Sequence, residues 1–423
     1  MTRIGILAGG GRLPLMIAES VAQRGGHVHI VAIQGEADPE IARYPHTWVN
    51  WGQVGRMVST LRAEGDELVI AGGVTRPDLW KLKPDRGFFA SLPQIVGLLA
   101  GGDDSVLSRV VRFFEKKGLK VRGAHEVAPD LLAGAGQLGA IALSGPAQAD
   151  ARIAAAVRAA LGPLDAGQAV VVADGRVLAI EGAEGTDAML QRVRALRNGS
   201  HGGVLGKGPK PGQELRVDMP AVGPRTIEGA AAAGLAGLAV QAGGVLILDR
   251  ADAIAKADAF GLAVHGLEPD GQLPGKAPPA ALRAQRIGHV VGRLRPSRGE
   301  AADIEKGLAA TERLAPFGTG GACVVSRAYI LGVDAMEGAP ALLQRVAALR
   351  QWGLHGKRRV GVLVRRLDPQ APQDAPEGLL AEVSRQGLAG VAVAGPAGAL
   401  APYEQAARTA DRLDIFLVTC ESG

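Results

Sequence analysis

Residues 184–197 read EGTDAMLQRVRALR, and residues 337–350 read EGAPALLQRVAALR. The offset of 153 that joins them also joins GLAGLAV at 234–240 to GLAGVAV at 387–393, and Asp258 to Asp411. It sets the strand-like run around Val170 beside the one around Cys323. Self-similarity at a fixed period marks a repeated structural unit. The repeat divides the chain: residues 148–268 form copy 1 and 301–423 form copy 2. One stretch breaks the offset. In copy 1, 28 residues separate GVL at 203–205 from GLAG; in copy 2, 23 separate GVL at 361–363 from GLAG. Between the copies, 269–300 is rich in Pro, Gly and Arg. It reads as a linker, with a short helix over Leu282–Val291.

Upstream of the repeat, residues 1–135 alternate short apolar runs with helical patterns. Ile4–Ala8 is a strand, followed by the turn Gly9-Gly10-Gly11 and a helix carrying Leu15, Ile17 and Val21 that stops at Gly25-Gly26. His27–Ile33 and Glu67–Ala71 are further strands, Met57–Arg62 and Ser105–Lys117 are helices, and Leu119–Arg122 closes the series. Such alternation predicts a parallel, doubly wound sheet. The expected fold is α/β: an N-terminal Rossmann-like doubly wound domain followed by two copies of a smaller α/β domain.

Composition excludes several classes. The chain has 423 residues, 47% hydrophobic and 21% charged, which suits a folded protein and argues against wholesale disorder. Its two cysteines, Cys323 and Cys420, form no CxxC pair, so a disulfide framework or Cys-rich zinc site is excluded and a reducing cytoplasm is expected. The net charge of +5 favours anionic partners. Nucleic acid is one candidate, but aromatics are only 3% and no helix carries a dense basic stripe; a phosphorylated small molecule or an anionic membrane surface fits equally well. The N-terminus runs straight into a strand pattern, so no signal peptide is expected. Gly229–Leu248 is free of charge over 20 residues and imitates a membrane span. Its Gly/Ala content, Gln241 and the Gly243-Gly244 break read instead as helix, strand, turn and strand. Its partner stretch carries Glu382 and Arg385, so that position tolerates charge.

The polar residues narrow the chemistry. Gly9-Gly10-Gly11 between a strand and a helix lets backbone amides approach a phosphate. Pro14 stands where the dinucleotide fingerprint needs its third glycine, which argues against an oxidoreductase. GGVLGKG at 202–208 has the wrong spacing for a P-loop, and Gly208 replaces its Ser/Thr. His125-Glu126 lacks the HExxH pattern of a zinc protease. Asp103-Asp104 opens a helix and reads as a cap or as magnesium ligands. Arg76-Pro77 reads as a turn that meets phosphate or as a plain loop.

The densest constellation runs from Lys207 through Lys210, Gln213 and Arg216 to Asp218 and Pro220. Prolines hold this stretch extended. Two ammonium groups, an amide and a carboxylate suit a phosphate ester with a metal or a general base. In copy 2, aligned on the GVL strands, Lys207 meets Arg365, Lys210 meets Asp368, Thr186-Asp187 becomes Ala339-Pro340, and no Val-Asp-x-Pro remains. Packing residues keep their identity while the polar set is lost, so the chemistry is expected in copy 1.

IGILAGGGRLP at 4–14, AGGVTRPD at 71–78, GDD at 102–104, GAHE at 123–126, EGTDAML at 184–190 and KGPKPGQELRVDMPAVG at 207–223 together resemble the LpxI family. These are UDP-2,3-diacylglucosamine diphosphatases of lipid A synthesis. The resemblance covers residues 1 to about 268. It implies hydrolysis of UDP-2,3-diacylglucosamine to UMP and 2,3-diacylglucosamine 1-phosphate, with substrate held between an N-terminal and a C-terminal domain. It implies a divalent cation, usually Mg2+, attack at the sugar-side phosphorus, and work at the cytoplasmic face of the inner membrane without spanning it. The family's important aspartate matches Asp218, with Lys207 and Lys210 as phosphate clamps. Substrate contacts are expected from Gly9, Gly10, Gly11, Gly73, Arg76, His125 and Glu126, and from Thr186, Asp187, Gln213 and Thr226. Metal ligands are expected from Asp218, Asp103 and Asp104. The family pattern ends near position 270, so copy 2 is an addition. Two arrangements are open: a pseudo-dimer within one chain, or a homodimer. The alternative function is a non-catalytic nucleotide-sugar or lipid-binding sensor derived by duplication.

Overall fold

Alternation of apolar residues along each strand decides how the N-terminal sheet is covered. The computed structural model describes residues 2–74, 84–92, 103–268, 288–349, 359–368 and 375–421, with only the backbone for 103–106. Strands β1 (Arg3–Ala8), β2 (His27–Ile33), β3 (His46–Val49), β4 (Glu67–Ala71) and β5 (Lys120–Arg122) form one parallel sheet in the order β3-β2-β1-β4-β5. Successive side chains point to opposite faces. Ile4, Ile6, Ala8, Ile30 and Ala32 pack with Leu15, Ile17 and Val21 of helix Leu13–Gln23. Leu7, Val31 and Ile33 pack on the other face with Met57 and Leu61 of helix Val54–Glu64 and with Val111, Phe113 and Phe114 of helix Asp103–Lys116. Each fully buried Ile or Leu contributes about 1.5–3 kcal/mol. The sequence pattern missed β3, where only Val49 is buried and half-buried His46 and Thr47 interrupt the apolar run that marks the other strands.

The repeat region supplies β6 (Gly136–Gln137), β7 (Ala169–Ala173), β8 (Arg176–Ile180), β9 (Val204–Lys207), β10 (Ala221–Val222), β11 (Gly237–Gln241), β12 (Leu246–Ile247) and β13 (Ala263–Leu267). It continues with β14 (His289–Val291), β15 (Ala322–Ser326), β16 (Tyr329–Val333), β17 (Val362–Arg366), β18 (Gly390–Gly395) and β19 (Phe416–Glu421). Two six-stranded sheets result, β6-β13-β11-β9-β7-β8 and β14-β19-β18-β17-β15-β16. Matched strand for strand, they have the same order. Their hairpins even share a bulge, between Val171 and Val172 in one and Val324 and Val325 in the other. His289–Val291, inside the stretch read as a linker, is a strand rather than helix, and pairs antiparallel with β19. Residues 269–287 of that linker lie outside the described residues.

The chain folds as two contact units. One comprises Met1–Ala135, Gly212–Pro224 and Gln241–Ala255; the other comprises Gly136–Pro211, Arg225–Val240 and Lys256–Gly423. The excursions of 212–224 and 241–255 into the first unit have an apolar cause. Val217 packs beside Phe113 and Phe114, while Met219, Ala221, Leu246 and Leu248 join the core around Ile17. The parallel pair β10–β12 ties them together.

Within the second unit the two copies share a core. Ala154, Val157 and Leu161 of helix Gly145–Leu161 meet Ala310 and Leu314 of helix Arg298–Leu314, along with side chains from β7, β8, β15 and β16. Four charges repeat the relation. Arg192 lies 2.7 Å from Glu184 and 3.5 Å from Glu337; Arg345 lies 2.6 Å from Glu337 and 3.2 Å from Glu184. Residues 184 and 192 of copy 1 correspond to 337 and 345 of copy 2, so the contact is reciprocal, as in a two-fold interface.

The Gly229–Leu248 stretch is the end of helix Pro224–Ala232, then β11, a turn and β12. Among the described residues no helix is long and apolar enough to cross a membrane.

Candidate functional site

In the first unit, Asp218 follows a tight turn in which its amide and that of Val217 donate to the Glu214 carbonyl. Gln213 is buried at 8% exposure and donates from Nε2 to Asp218 Oδ2 at 2.6 Å. That amide fixes the direction of the carboxylate. Arg216 leaves the same turn on another path. It bonds Glu214 at 2.7 Å and Glu115 at 2.8 Å. Arg216 holds the Glu214 carboxyl below its usual range, while Glu214 raises the guanidinium.

The glycine turn packs two loop backbones together. The Gly9 amide donates to the Ala71 carbonyl at 2.9 Å, and Gly10 exchanges both backbone bonds with Gly73. A Cβ on Gly9 would collide with the Gly73 carbonyl, and one on Gly72 with the Gly10 carbonyl. The glycines are needed so that two loop backbones can touch. Two of the amides expected to face phosphate are thereby occupied. Gly11, at φ 86°, leads into helix Leu13–Gln23, whose N-cap Arg12 makes no side-chain cap and instead binds Asp249 at 3.1 Å.

Glu126 is likewise committed. Its carboxylate accepts the Gly123 amide at 2.7 Å as a helix cap and pairs with Arg122 at 2.8 Å. His125 Nδ1 is buried without a partner among the described residues. Asp103 begins its helix, but its side chain and that of Asp104 lie outside the described residues, as does Arg76.

In the second unit, Lys207 is the last residue of β9 and only 7% exposed. Its Nζ donates to Thr186 Oγ1 at 2.8 Å, and Thr186 Oγ1 donates to Glu181 Oε1 at 2.8 Å. Burial pushes the Glu181 carboxyl up, against the pull of Lys207. Lys210 is salt-bridged to Asp165. Asp187 pairs with exposed Arg225, and Thr226 is buried in helix Pro224–Ala232. Arg158 lies against Gly208, where any Cβ would strike its guanidinium, and donates to the Pro209 carbonyl at 3.2 Å. Its burial lowers its pKa to about 10.

The constellation read as one cluster thus divides. Lys207, Lys210 and Thr186 belong to the second unit; Gln213 and Asp218 belong to the first. The division has the apolar cause given above, which a list of polar residues does not show. Glu181, Asp165 and Arg158 were missed. Their signal was the offset of 153, which sets them against Asp334, Gly318 and Thr311 of copy 2.

Register confirms which residue of copy 2 stands where Lys207 does. Lys207 pairs with Ala169, and Arg365 pairs with Ala322, the equivalent of Ala169. Ala339 replaces Thr186 there, and Asp334, in the place of Glu181, accepts the Gly338 amide at 2.8 Å.

The chain matches two family models, a named relative and a solved structure. The family model for the LpxI N-terminal domain matches residues 3–131. That for the LpxI C-terminal domain matches twice, at 134–265 and 288–418. UDP-2,3-diacylglucosamine pyrophosphatase LpxI from Caulobacter vibrioides is 43% identical over 276 residues, which are 64% of this chain and 99% of that protein. A solved murein peptide ligase Mpl from Psychrobacter arcticus 273-4 aligns over 100% of this chain and 91% of its own. It does so at 12% identity with a TM-score of 0.20, which carries no argument. With both domain models matched along nearly the whole chain, this protein belongs to the LpxI family.

Proposed function

We propose that this chain hydrolyses the pyrophosphate of UDP-2,3-diacylglucosamine. Water adds to the phosphorus that carries the sugar, the bridging P–O bond breaks, and UMP leaves beside 2,3-diacylglucosamine 1-phosphate. The observation that carries the reading is the 43% identity along 99% of the Caulobacter relative. The site chemistry supports it. A pyrophosphate must have its charge neutralised, its water oriented and its leaving group stabilised. Lys207, held by Thr186, supplies a fixed positive charge. Lys210 contributes only as far as phosphate displaces Asp165. Asp218, aimed by Gln213, orients water or holds the cation.

Magnesium is part of this reading. Asp218 is a hard oxygen donor of the kind Mg2+ takes, and Mg2+ asks for one or two carboxylates, filling its octahedron with water and phosphate oxygens. When bound it would neutralise phosphate charge. Asp103 and Asp104 are the further ligands of this proposal.

The sheet order β3-β2-β1-β4-β5, with helices on both faces, supports a Rossmann-like first unit. The equal sheet orders and the twice-matched C-terminal model support a domain duplication. Copy 2 then serves copy 1 as an in-chain partner, a pseudo-dimer, through the reciprocal Arg192–Glu337 and Arg345–Glu184 pairs. Native mass spectrometry of the full chain is expected to give a monomer; a homodimer made through copy 1 would overturn this. The enzyme works peripherally at the cytoplasmic face of the inner membrane, where its lipid substrate resides.

The test is turnover of UDP-2,3-diacylglucosamine with Mg2+, following UMP, for wild type and Asp218→Ala. Cleavage by wild type and its loss in the variant are expected. Binding without cleavage by either form would favour the sensor reading. Heavy-oxygen water is expected to label 2,3-diacylglucosamine 1-phosphate; label in UMP would refute the stated attack.

A further inference from the structure

Lys207 is an unusual place for a phosphate clamp. A lysine this buried loses hydration and tends to shed its proton, and a neutral amine clamps nothing. Something nearby must keep it charged. A hydrogen-bonded path to a carboxylate does so here. Lys207 Nζ donates to Thr186 Oγ1, and the Thr186 hydroxyl donates onward to Glu181 Oε1, each at 2.8 Å. Thr186 can donate to only one acceptor, and that acceptor is Glu181. The hydroxyl therefore presents its lone pairs to the ammonium. The second carboxylate oxygen, Oε2, is buried with no hydrogen-bond partner among the described residues. Leaving it so is costly, so its retention in copy 1 needs a reason.

Copy 2 supplies the control within the same chain. The equivalent residues are Asp334, Ala339 and Arg365. Asp334 is one methylene shorter and caps helix Gly338–Leu349 through the Gly338 amide. Ala339 offers no hydroxyl. Arg365 keeps its charge without help, because a guanidinium does not titrate in this range. Where the lysine is gone, the relay that would hold its proton is gone as well, and its carboxylate serves as a helix cap.

We propose that Glu181 is a positioning residue for Lys207: through Thr186 it aims the ammonium and keeps it protonated for the pyrophosphate. The proposal rests on the reading of Lys207 as a phosphate clamp. Other charges act here too. Glu184 and Lys210 both act on Glu181, Lys210 is paired with Asp165, and Arg158 lies against the neighbouring Gly208. Glu184 is already held by Arg192 and Arg345. Glu181 reaches Lys207 through the hydrogen bonds of Thr186.

Two measurements on the full chain test this. The first is nitrogen-15 NMR of lysine side chains, with the Lys207 signal assigned by its loss in Lys207→Met. Glu181→Gln keeps the size and an acceptor for Thr186 but removes the charge. It is expected to lower the Lys207 titration by about one pH unit or more. The second is the pH profile of kcat. In Glu181→Gln its alkaline limb is expected to move to lower pH by the same amount, because activity is lost once Lys207 deprotonates. kcat is expected to fall about tenfold to a hundredfold, with KM changed less. Thr186→Val, which breaks the relay but keeps the charge, is expected to lower kcat with a smaller titration shift. An unchanged Lys207 titration in Glu181→Gln would overturn the proposal, as would a fall in kcat with an unmoved pH profile, which marks a structural role only. Wild-type turnover by Lys207→Met would instead overturn the clamp reading, and the NMR titration separates the two failures.

Discussion

Copy 1 and copy 2 have the same sheet order, the same bulge and matching ion pairs, yet they treat their buried polar groups in two ways. One group is kept. Asp150 accepts the amides of Asp174 and Gly175, and Asp303, its equivalent, accepts those of Arg327 and Ala328. Both aspartates hold a hairpin turn whose two residues have positive φ. Another group differs: where copy 1 has Glu181, Thr186 and Lys207, copy 2 has Asp334, Ala339 and Arg365. A buried polar group that holds backbone amides cannot be lost without leaving donors unsatisfied. One that holds no backbone amide is under no such constraint. The comparison separates buried charges that hold the backbone in both copies from those that differ between them.

The largest test of that contrast is at the site. Asp218→Ala is expected to lower turnover about 10²–10³-fold, measured as UMP released, while Arg365→Ala in copy 2 leaves it at the wild-type rate. Equal losses would break the contrast. Next comes the shared interface. Glu337 is 2% exposed in its side chain and bonds Arg345 at 2.6 Å. Removing one partner of a buried pair costs about 3–5 kcal/mol. Glu337→Ala and its equivalent Glu184→Ala are expected to destabilise the chain by similar amounts in denaturant titrations, and a strongly unequal pair would deny the two-fold relation.

A smaller effect depends on pH. Burial raises the Asp334 carboxyl to about 6. The folded chain therefore holds this proton where the unfolded chain has released it. Ionisation costs stability increasingly as pH rises from about 4 to 6, and the full cost, on the order of 2–3 kcal/mol, is felt above that window. Asp334→Asn keeps an acceptor for Gly338 and removes the charge. It is expected to be more stable than wild type at pH 7 and equal to it at pH 4, by thermal unfolding. The smallest effect concerns the turn. Ala328 has φ 67° where copy 1 has Gly175 at φ 76°. Ala328→Gly is expected to stabilise by about 0.5–1 kcal/mol, since the left-handed conformation is costly for alanine and the gain is partly offset by glycine's entropy.

Much of this was legible in the residues. The strands Ile4–Ala8, His27–Ile33 and Glu67–Ala71 stood out because their apolar runs are bounded by glycines, whereas β3 did not because His46 and Thr47 interrupt its pattern. Asp218 and Lys207 were visible as polar residues in a proline-rich stretch. Their immediate partners were only half visible. Gln213 lies five residues from Asp218, but Thr186 lies 21 from Lys207. No local pattern reveals that the Gly9 and Gly10 amides meet the Ala71 and Gly73 carbonyls of the neighbouring strand and its loop.

The sequence by itself determined the repeat, the alternation of strands and helices, and the residue types able to meet a pyrophosphate. These follow from periodicity and side-chain chemistry, which are properties of near neighbours. Only the tertiary structure decided which polar groups became partners. It sent 212–224 into one unit and left Lys207 in the other, because Val217 and Met219 had apolar cores to fill. It also joined Glu181 to Lys207 by way of Thr186, since β8 and β9 flank β7 and their ends lie two strand spacings, about 10 Å, apart however far apart they are in the chain.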